Sequence, residues 1–141
     1  MGLDQYAYKA NRAGQRAEFY EDGEFVNGEW KNPSAEKPED LAYWRKHPNL
    51  QGWMEQLWLR KGGSNSGSQW GSNFNGVELE LTWEDLDELE QDVLNGDLPS
   101  TQGFFFGSNS DNEYKEDDLK FIGLAKLALT EGYQVFYNSS W

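Results

Sequence analysis

The sequence predicts an α+β fold in which a small antiparallel or mixed sheet packs with about three to four helices. The clearest strand is 77–81, where apolar and acidic side chains alternate strictly. The clearest helix follows it, because Leu86, Leu89 and Val93 recur at helical spacing. Strand-like segments also open and close the chain. This order of elements favours α+β over a doubly wound parallel sheet.

The first half of the chain predicts a strand, a hairpin and two helices. Residues 3–9 alternate weakly and end in an aromatic pattern that is typical of a short strand. Between residues 18 and 30, Asp-Gly and Asn-Gly pairs separate aromatic residues, which predicts a hairpin or meander. Residues 39–61 have helical spacing, but Pro48 interrupts them. We therefore expect two helices that meet at His47-Pro48.

The second half predicts a flexible loop, two helices and a last strand. Residues 62–76 are rich in Gly, Ser and Asn, which is typical of a flexible connection. Thr82 and Asp85 have the spacing of an approximate capping box, and Asn95-Gly96 is a typical helix end. An irregular segment is expected over 97–114. A helix over 116–130 and a strand over 133–137 then complete the chain, and the helix is expected to bury Phe121, Leu124, Ala125, Ala128 and Leu129.

The composition predicts one folded domain over residues 1–141, since domains of about 100–150 residues are the commonest. Aromatic residues make up 16% of the chain, whereas disordered acidic chains are poor in them. The chain contains no cysteine, which excludes disulfides and cysteine-ligated zinc and fits a reducing cytoplasm. No apolar run approaches the length of a membrane span, so we expect no membrane association.

The charge balance restricts the partners. Twenty-five acids against 12 bases give a net charge of −13, which repels phosphate backbones and disfavours direct nucleic-acid binding. The same charge is compatible with a basic protein partner or with nucleic-acid mimicry. The simpler interpretation is that the acids keep a small domain soluble.

No familiar catalytic motif occurs, and we expect binding rather than catalysis. The chain has neither a phosphate-binding glycine loop nor a nucleophile elbow, and its one histidine, His47, is more typical of a surface or packing residue. The acidic run 109–118 resembles a calcium loop, but Tyr114 stands where the loop needs glycine. Acids at the start of a helix are explained more simply by the helix dipole. We therefore assign no cofactor and no metal.

A specific pattern is the aromatic–basic run 43–46, which is Tyr43, Trp44, Arg45 and Lys46 in a chain short of bases. Arginine and lysine beside aromatic rings suit an anionic ligand that can stack. The alternative is that the two aromatic residues belong to the core and the two bases point to water.

The run 101–108 is a second unusual segment. Three consecutive phenylalanines cannot all face one core from a strand, so at least one ring is expected at a cleft, an interface or a second small core. The chain ends on Trp141, a large aromatic residue that predicts a docked carboxyl terminus.

These segments together resemble a family of small proteins encoded by tailed bacteriophages and prophages. Some members of that family are labelled phosphoglycerate kinase, but this chain lacks the length and the glycine-rich phosphate sites of such a kinase. Where relatives often have a histidine shortly after the Tyr-Trp-Arg-Lys run, this chain has Gln51. The residues that carry the resemblance are Met1 to Tyr6, Tyr43 to Lys46, Leu98-Pro99, Thr101-Gln102, Gly103 to Ser108, Tyr114 to Leu119 and Ser139 to Trp141.

The resemblance implies a phage protein that acts in the cytoplasm of the host, and it brings no established activity. Our leading hypothesis is a non-enzymatic accessory protein that counters host defence by sequestering a nucleotide-like signalling molecule. Arg45 and Lys46 would meet its phosphate, while Trp44 or a phenylalanine of 104–106 would stack on its base. The expected ligand-binding residues are Tyr43, Trp44, Arg45, Lys46, Thr101, Gln102, Phe105, Ser108, Tyr114, Ser140 and Trp141.

Two other functions remain open. The acidic helix over 84–92 and the loop 109–118 could dock on a basic host protein, so that the chain acts as an inhibitor or a nucleic-acid mimic. Alternatively, some of the carboxylates could bind a divalent metal in an enzyme of a kind that has no short motif.

Overall fold

A computed structural model describes residues 3–32, 37–63, 74, 76–99 and 111–140, except for the side chains of 111–113. Helices and antiparallel strands alternate irregularly along it, which confirms the α+β prediction. The elements are β1 (Asp4–Ala10), α1 (Gln15–Glu21), β2 (Glu24–Val26), β3 (Glu29–Lys31), β4 (Glu39–Arg45), α2 (Pro48–Arg60), β5 (Leu79–Leu81), α3 (Trp83–Asn95), α4 (Asp111–Thr130) and β6 (Gln134–Ser140).

The main sheet has four strands in the order β4-β1-β6-β5, and every neighbouring pair is antiparallel. Because side chains alternate along a strand, β1 presents Gln5 and Ala7 to one face and Tyr6 and Tyr8 to the other. Strands β2 and β3 form a separate two-stranded sheet.

Helices α2, α3 and α4 cover the face of the main sheet that contains Ala7. Each helix buries one apolar stripe in a core shared with the sheet. Near its centre, the Trp44 ring meets Phe121 of α4 edge-on, with the ring centroids 5.1 Å apart, and lies 6.3 Å from the ring of Tyr137. Aromatic rings therefore fill much of this core, as the composition indicates.

The opposite face of the sheet carries helix α1. Tyr8, Ala10 and Phe136 form a small second core there. The Arg16 guanidinium of α1 lies over the rings of Tyr6 and Tyr8. Within the described residues, α1 is the helix that packs on this face, and a cleft lies beside it.

Residues 39–45 form strand β4, and our prediction of a helix there is wrong. The spacing of Leu41 and Trp44 fits a helix. In the structure, however, this segment is a strand that pairs with β1, and Trp44 is buried on one face of it. Pro48 does not separate two helices. It occupies the first turn of α2, where a missing N–H costs nothing and the fixed φ favours helix.

The expected hairpin of 18–30 is confirmed only in its second half. Residues up to Glu21 belong to helix α1, and Asp22 ends that helix. Asn27 and Gly28 join β2 to β3 with φ of 52° and 84°. Two positive φ angles are typical of a tight hairpin turn.

The predictions for α3 are confirmed in detail. Thr82 and Asp85 form a reciprocal capping box, and Gly96 ends the helix in a left-handed conformation. In α4, Phe121, Ala125 and Ala128 are buried, but Leu124 is 37% exposed and Leu129 is only partly buried. Leu124 borders the buried stripe, being three residues from Phe121 and four from Ala128, and is partly open to solvent. Most of the loop predicted over 62–76, namely 64–73 and 75, lies outside the described residues.

Candidate functional site

Five of the residues expected to bind ligand lie outside the described part of the chain: Thr101, Gln102, Phe105, Ser108 and Trp141. The other six come from three elements that meet at one end of the main sheet. Within the sheet, Arg45 of β4 and Ser140 of β6 are both paired with Asp4 of β1, so they lie in one row. Tyr43 and Tyr114 contact the same region, as described below.

Tyr43 and Tyr114 are fixed by hydrogen bonds at this end of the sheet. The Tyr43 hydroxyl donates to Oδ1 of Asp4 at 2.7 Å, and this bond raises the pKa of Tyr43. The Tyr114 hydroxyl donates to the backbone carbonyl of Arg45. Both phenols therefore serve as supports for neighbouring strand ends.

Arg45 and Lys46 are exposed, and within the described residues neither makes an ion pair. Lys46 has a φ of 62°, a left-handed conformation that is uncommon for a residue with a side chain. Its backbone N–H donates to the carbonyl of Leu3 at 2.9 Å. The turn after β4 thus places two adjacent cations at the surface.

Trp44 has a different environment from the two bases that follow it. Its side chain is only 1% exposed, and its Nε1–H donates to Oδ1 of Asp118 at 2.9 Å. A ring packed on Phe121 and bonded through its nitrogen cannot stack on a ligand at the surface. The stacking role expected for Trp44 is therefore a misinterpretation, and the core alternative describes this residue.

His47 is fully buried beneath the same turn, with its Nε2 2.8 Å from Oδ2 of Asp118. Its ring stacks on that of Tyr114, with centroids 4.7 Å apart. Burial raises the pKa of Asp118, while the hydrogen bonds from His47 and Trp44 act in the opposite direction. The Asp118 carboxylate thus joins α4 to β4 and to the start of α2.

Gln5 and Tyr137 extend these contacts across the sheet. The Gln5 amide accepts from the His47 backbone N–H at 2.8 Å and donates to the His47 carbonyl at 3.1 Å and to the Tyr137 hydroxyl at 2.9 Å. Tyr137 donates in turn to Oε1 of Gln51, and burial raises its pKa. We call the set of Gln5, Trp44, His47, Gln51, Asp118 and Tyr137 the buried polar network.

The second candidate site is a cleft of about 640 Å³ between α1 and the face of the sheet that carries Tyr8. Arg16 lines this cleft, and its guanidinium lies 5.3, 5.2 and 5.2 Å from the ring centroids of Tyr6, Tyr8 and Tyr20. Within the described chain, Arg16 makes no ion pair. We call this the tyrosine cleft; it is lined by Tyr8, Gly14, Arg16, Ala17, Tyr20, Glu21, Gly76, Glu78 and Asn138.

One wall of the tyrosine cleft is held by Glu78. One carboxylate oxygen accepts from the Tyr8 hydroxyl at 2.5 Å, and the other accepts from the Gly14 backbone N–H at 2.9 Å. Burial and this bond to Glu78 raise the pKa of Tyr8 well above its usual value. Both oxygens of Glu78 thus have donors from the protein, which fix the carboxylate against strand β1 and the start of α1.

Arg16 is absent from the residues that the sequence predicts to bind ligand. Arg16 and Tyr20 are four residues apart and therefore neighbours on a helix, but the segment was not expected to be helical. Tyr6 and Tyr8 are two residues apart on a strand and therefore share a face. Correct assignment of α1 would have brought these residues together.

Most acids of α3 interact with the protein itself. Asp85 pairs with Lys61, Glu88 with Arg60, and Asp87 and Glu90 with Lys126. Asp92 accepts from Nε1 of Trp53 at 2.7 Å. Within the described residues, no group of three or more histidine, aspartate or glutamate side chains could hold a metal ion.

In the same part of the chain, no helix is long and apolar enough to cross a membrane. Comparisons with protein-family models, curated proteins and solved structures gave no match. The geometry of these two loci therefore provides the argument for function.

Proposed function

We propose that this protein binds a small anion that carries a flat ring, and that its tyrosine cleft is the binding site. The observation that carries the proposal is that Arg16 makes no ion pair within the described residues and contacts three tyrosine rings, of which Tyr8 and Tyr20 line with it a cleft of about 640 Å³. Ligand pockets commonly have volumes of about 300–1,000 Å³ and a few well-placed polar groups.

Arg16 supplies the charge for such a ligand. Its guanidinium has five N–H donors in a planar fork that matches carboxylate and phosphate oxygens. The tyrosine rings hold it through cation–π contacts without using those donors. The side chain is thus oriented before ligand arrives, which reduces the entropy lost on binding.

The remaining lining favours a nucleotide-like ligand over a simple inorganic anion. The partly exposed ring of Tyr20 offers a surface for stacking, which contributes about 1–3 kcal/mol per base in single-strand binding proteins. The Glu21 carboxylate can accept hydrogen bonds from sugar hydroxyls or exocyclic amino groups, and the Asn138 amide can pair with the edge of a base. Inorganic phosphate has no base, no sugar hydroxyl and no exocyclic amino group, so it could not use these contacts.

Binding without turnover is the activity that fits this lining. In the phage setting that the sequence resemblance implies, tight binding of such a molecule would remove a signal on which host defence depends. The proposal keeps the ligand class expected from the sequence and changes the residue that meets the phosphate from Arg45 to Arg16. Arg45 and Lys46 remain the alternative site for the same ligand, because they too lack an ion-pair partner in the described chain.

Calorimetry and thermal shift with a panel of linear and cyclic nucleotides test the proposal. We expect one class to raise the melting temperature. Arg16→Gln should weaken its binding by about 10–100-fold, which corresponds to losing a hydrogen bond to a charged group. Arg45→Gln is the matched control and should bind as the wild type does. The ligand should be recovered unchanged after release.

Two outcomes would overturn the proposal. One is that no nucleotide shifts the melting temperature of the wild-type protein. The other is that binding survives Arg16→Gln and is lost in Arg45→Gln, which would return the site to the end of strand β4. Circular dichroism of both variants shows whether each retains its fold.

A further inference from the structure

We propose that the β2–β3 hairpin is a docking surface for a basic segment of another protein. In this arrangement, arginine or lysine side chains of the partner pack on the rings of Phe25 and Trp30. The partner's other basic side chains pair with carboxylates around the hairpin. This surface takes a different kind of partner from the tyrosine cleft, although Tyr20 and Glu21 border both places.

The hairpin exposes two large rings to solvent. Phe25 is 64% exposed and Trp30 is 42% exposed. The two residues are directly paired across the strands, so their side chains share one face, with ring centroids 5.9 Å apart. Adjacent exposed aromatic rings of this kind are frequent at sites of protein–protein interaction.

The hairpin is fixed to the rest of the protein on one side. The Trp30 ring meets Tyr20 of α1 edge-on at 5.7 Å, and the side-chain amide of Asn32 donates to the Phe19 carbonyl at 3.4 Å. These contacts orient Trp30 before any partner binds. An aromatic pair held in this way is a suitable anchor for an interface.

Charge identifies the chemistry of the partner. Glu21, Asp22, Glu24 and Glu29 lie in or beside the hairpin and are exposed, and within the described chain none makes an ion pair. The acids of α3, by contrast, are largely paired with lysine or arginine. Unpaired carboxylates beside exposed rings suit a cation that contacts both.

The same charges disfavour other occupants. A second copy of this chain carries the same net charge of −13 and would be repelled, as would a nucleic acid. Glu24 lies across the strands from Lys31, but a neutral apolar partner would leave the other three carboxylates facing an interface without compensation. A basic protein segment can pack its cations on the rings and form ion pairs with the acids.

Binding of fluorescently labelled peptides, followed by anisotropy, tests the inference. The probes are a nine-residue arginine peptide, a neutral leucine–serine peptide of equal length, and a single-stranded oligonucleotide. We expect only the arginine peptide to bind. Trp30→Ala should weaken its binding at least about ten-fold, as expected for an anchor residue, whereas Trp83→Ala, which removes a ring that is 43% exposed elsewhere, should not.

A second pair of variants separates the hairpin acids from the overall charge. Glu29→Gln and Glu84→Gln each remove one exposed acid, from the hairpin and from α3 respectively. Only Glu29→Gln should weaken peptide binding. Equal losses in the two glutamine variants, or in Trp30→Ala and Trp83→Ala, would mean attraction to a polyanion and would overturn the inference. Binding of the neutral peptide or the oligonucleotide, or no binding of the arginine peptide, would also overturn it.

Discussion

The imidazole Nε2 of His47 lies 2.8 Å from Oδ2 of Asp118, and neither side chain is more than 1% exposed. The contact joins the turn after β4 to helix α4, two parts of the chain that are 71 residues apart. Buried polar groups of this kind cost stability when one of their partners is removed. The buried polar network therefore sets the position of the exposed Arg45 and Lys46 above it.

Removing the carboxylate of Asp118 should strongly destabilise the protein. Asp118→Ala leaves the donors of Trp44 and His47 buried without their acceptor, and we expect the free energy of unfolding to fall by about 3–5 kcal/mol. Urea denaturation measures this change. Asp117→Asn, at an exposed neighbouring position, is the control and should change stability by less than about 0.5 kcal/mol. Similar losses in the two variants would contradict the network.

Stability should fall as the pH rises above about 10, the usual pKa of tyrosine. Burial raises the pKa of Tyr8 and of Tyr137 in the folded protein, so the unfolded chain loses these two protons first. Below pH 10, both phenols are protonated in the folded and the unfolded chain, and their contribution to stability is fully present. Above it, the free energy of unfolding should fall by about 1.4 kcal/mol per pH unit for each buried phenol. Denaturant melts between pH 9 and 11.5 measure the slope.

Tyr8→Phe provides the check on this assignment. It removes one of the two groups, so the slope above pH 10 should become shallower than that of the wild type. Tyrosinate absorbance should likewise show that the variant has one fewer phenol than the wild type that ionises only on unfolding. An unchanged slope would mean that Tyr8 titrates normally in the folded protein.

The conformation of Lys46 predicts an order of stability among its variants. With φ at 62°, a side chain at this position is strained, whereas glycine adopts this conformation freely. Lys46→Gly should therefore be more stable than Lys46→Ala by about 1 kcal/mol. Thermal or urea melts of the two variants, which both lack the charge, measure the difference. The reverse order would show that the turn relaxes when the side chain is shortened.

The start of helix α3 depends on Thr82. Its hydroxyl accepts from the backbone N–H of Asp85 at 3.2 Å, and the Asp85 carboxylate accepts from the backbone N–H of Thr82 at 2.9 Å. Thr82→Ala should lower the free energy of unfolding by about 1 kcal/mol, while Thr82→Ser should retain most of the cap. If both variants lose the same amount, the cap does not stabilise the helix.

Local signals predicted the elements that depend on local contacts. Helix α3 was predicted with its capping box and its end because both come from residues within a few positions of one another. The prediction for residues 39–45 is wrong because their conformation depends on pairing with β1, 30 to 41 residues earlier in the chain. Apolar spacing alone cannot distinguish a short helix from a strand in such a segment.

The candidate site shows the same limit. The sequence predicts Arg45 and Lys46 as ligand-binding residues because they lie beside aromatic residues in the chain. The ring partners of Arg16 come from β1 and α1, and only tertiary packing brings Tyr6 and Tyr8 to it. Likewise, nothing near Asp118 in the sequence indicates that it pairs with His47.

The most direct test of the central claim is an NMR titration of the arginine side chains. Addition of the nucleotide that raises the melting temperature should shift and saturate the Nε–H resonance of Arg16, with the dissociation constant found by calorimetry. The Arg45 resonance should not move. A saturating shift of Arg45 with an unchanged Arg16 would contradict the account and place the ligand at the end of strand β4.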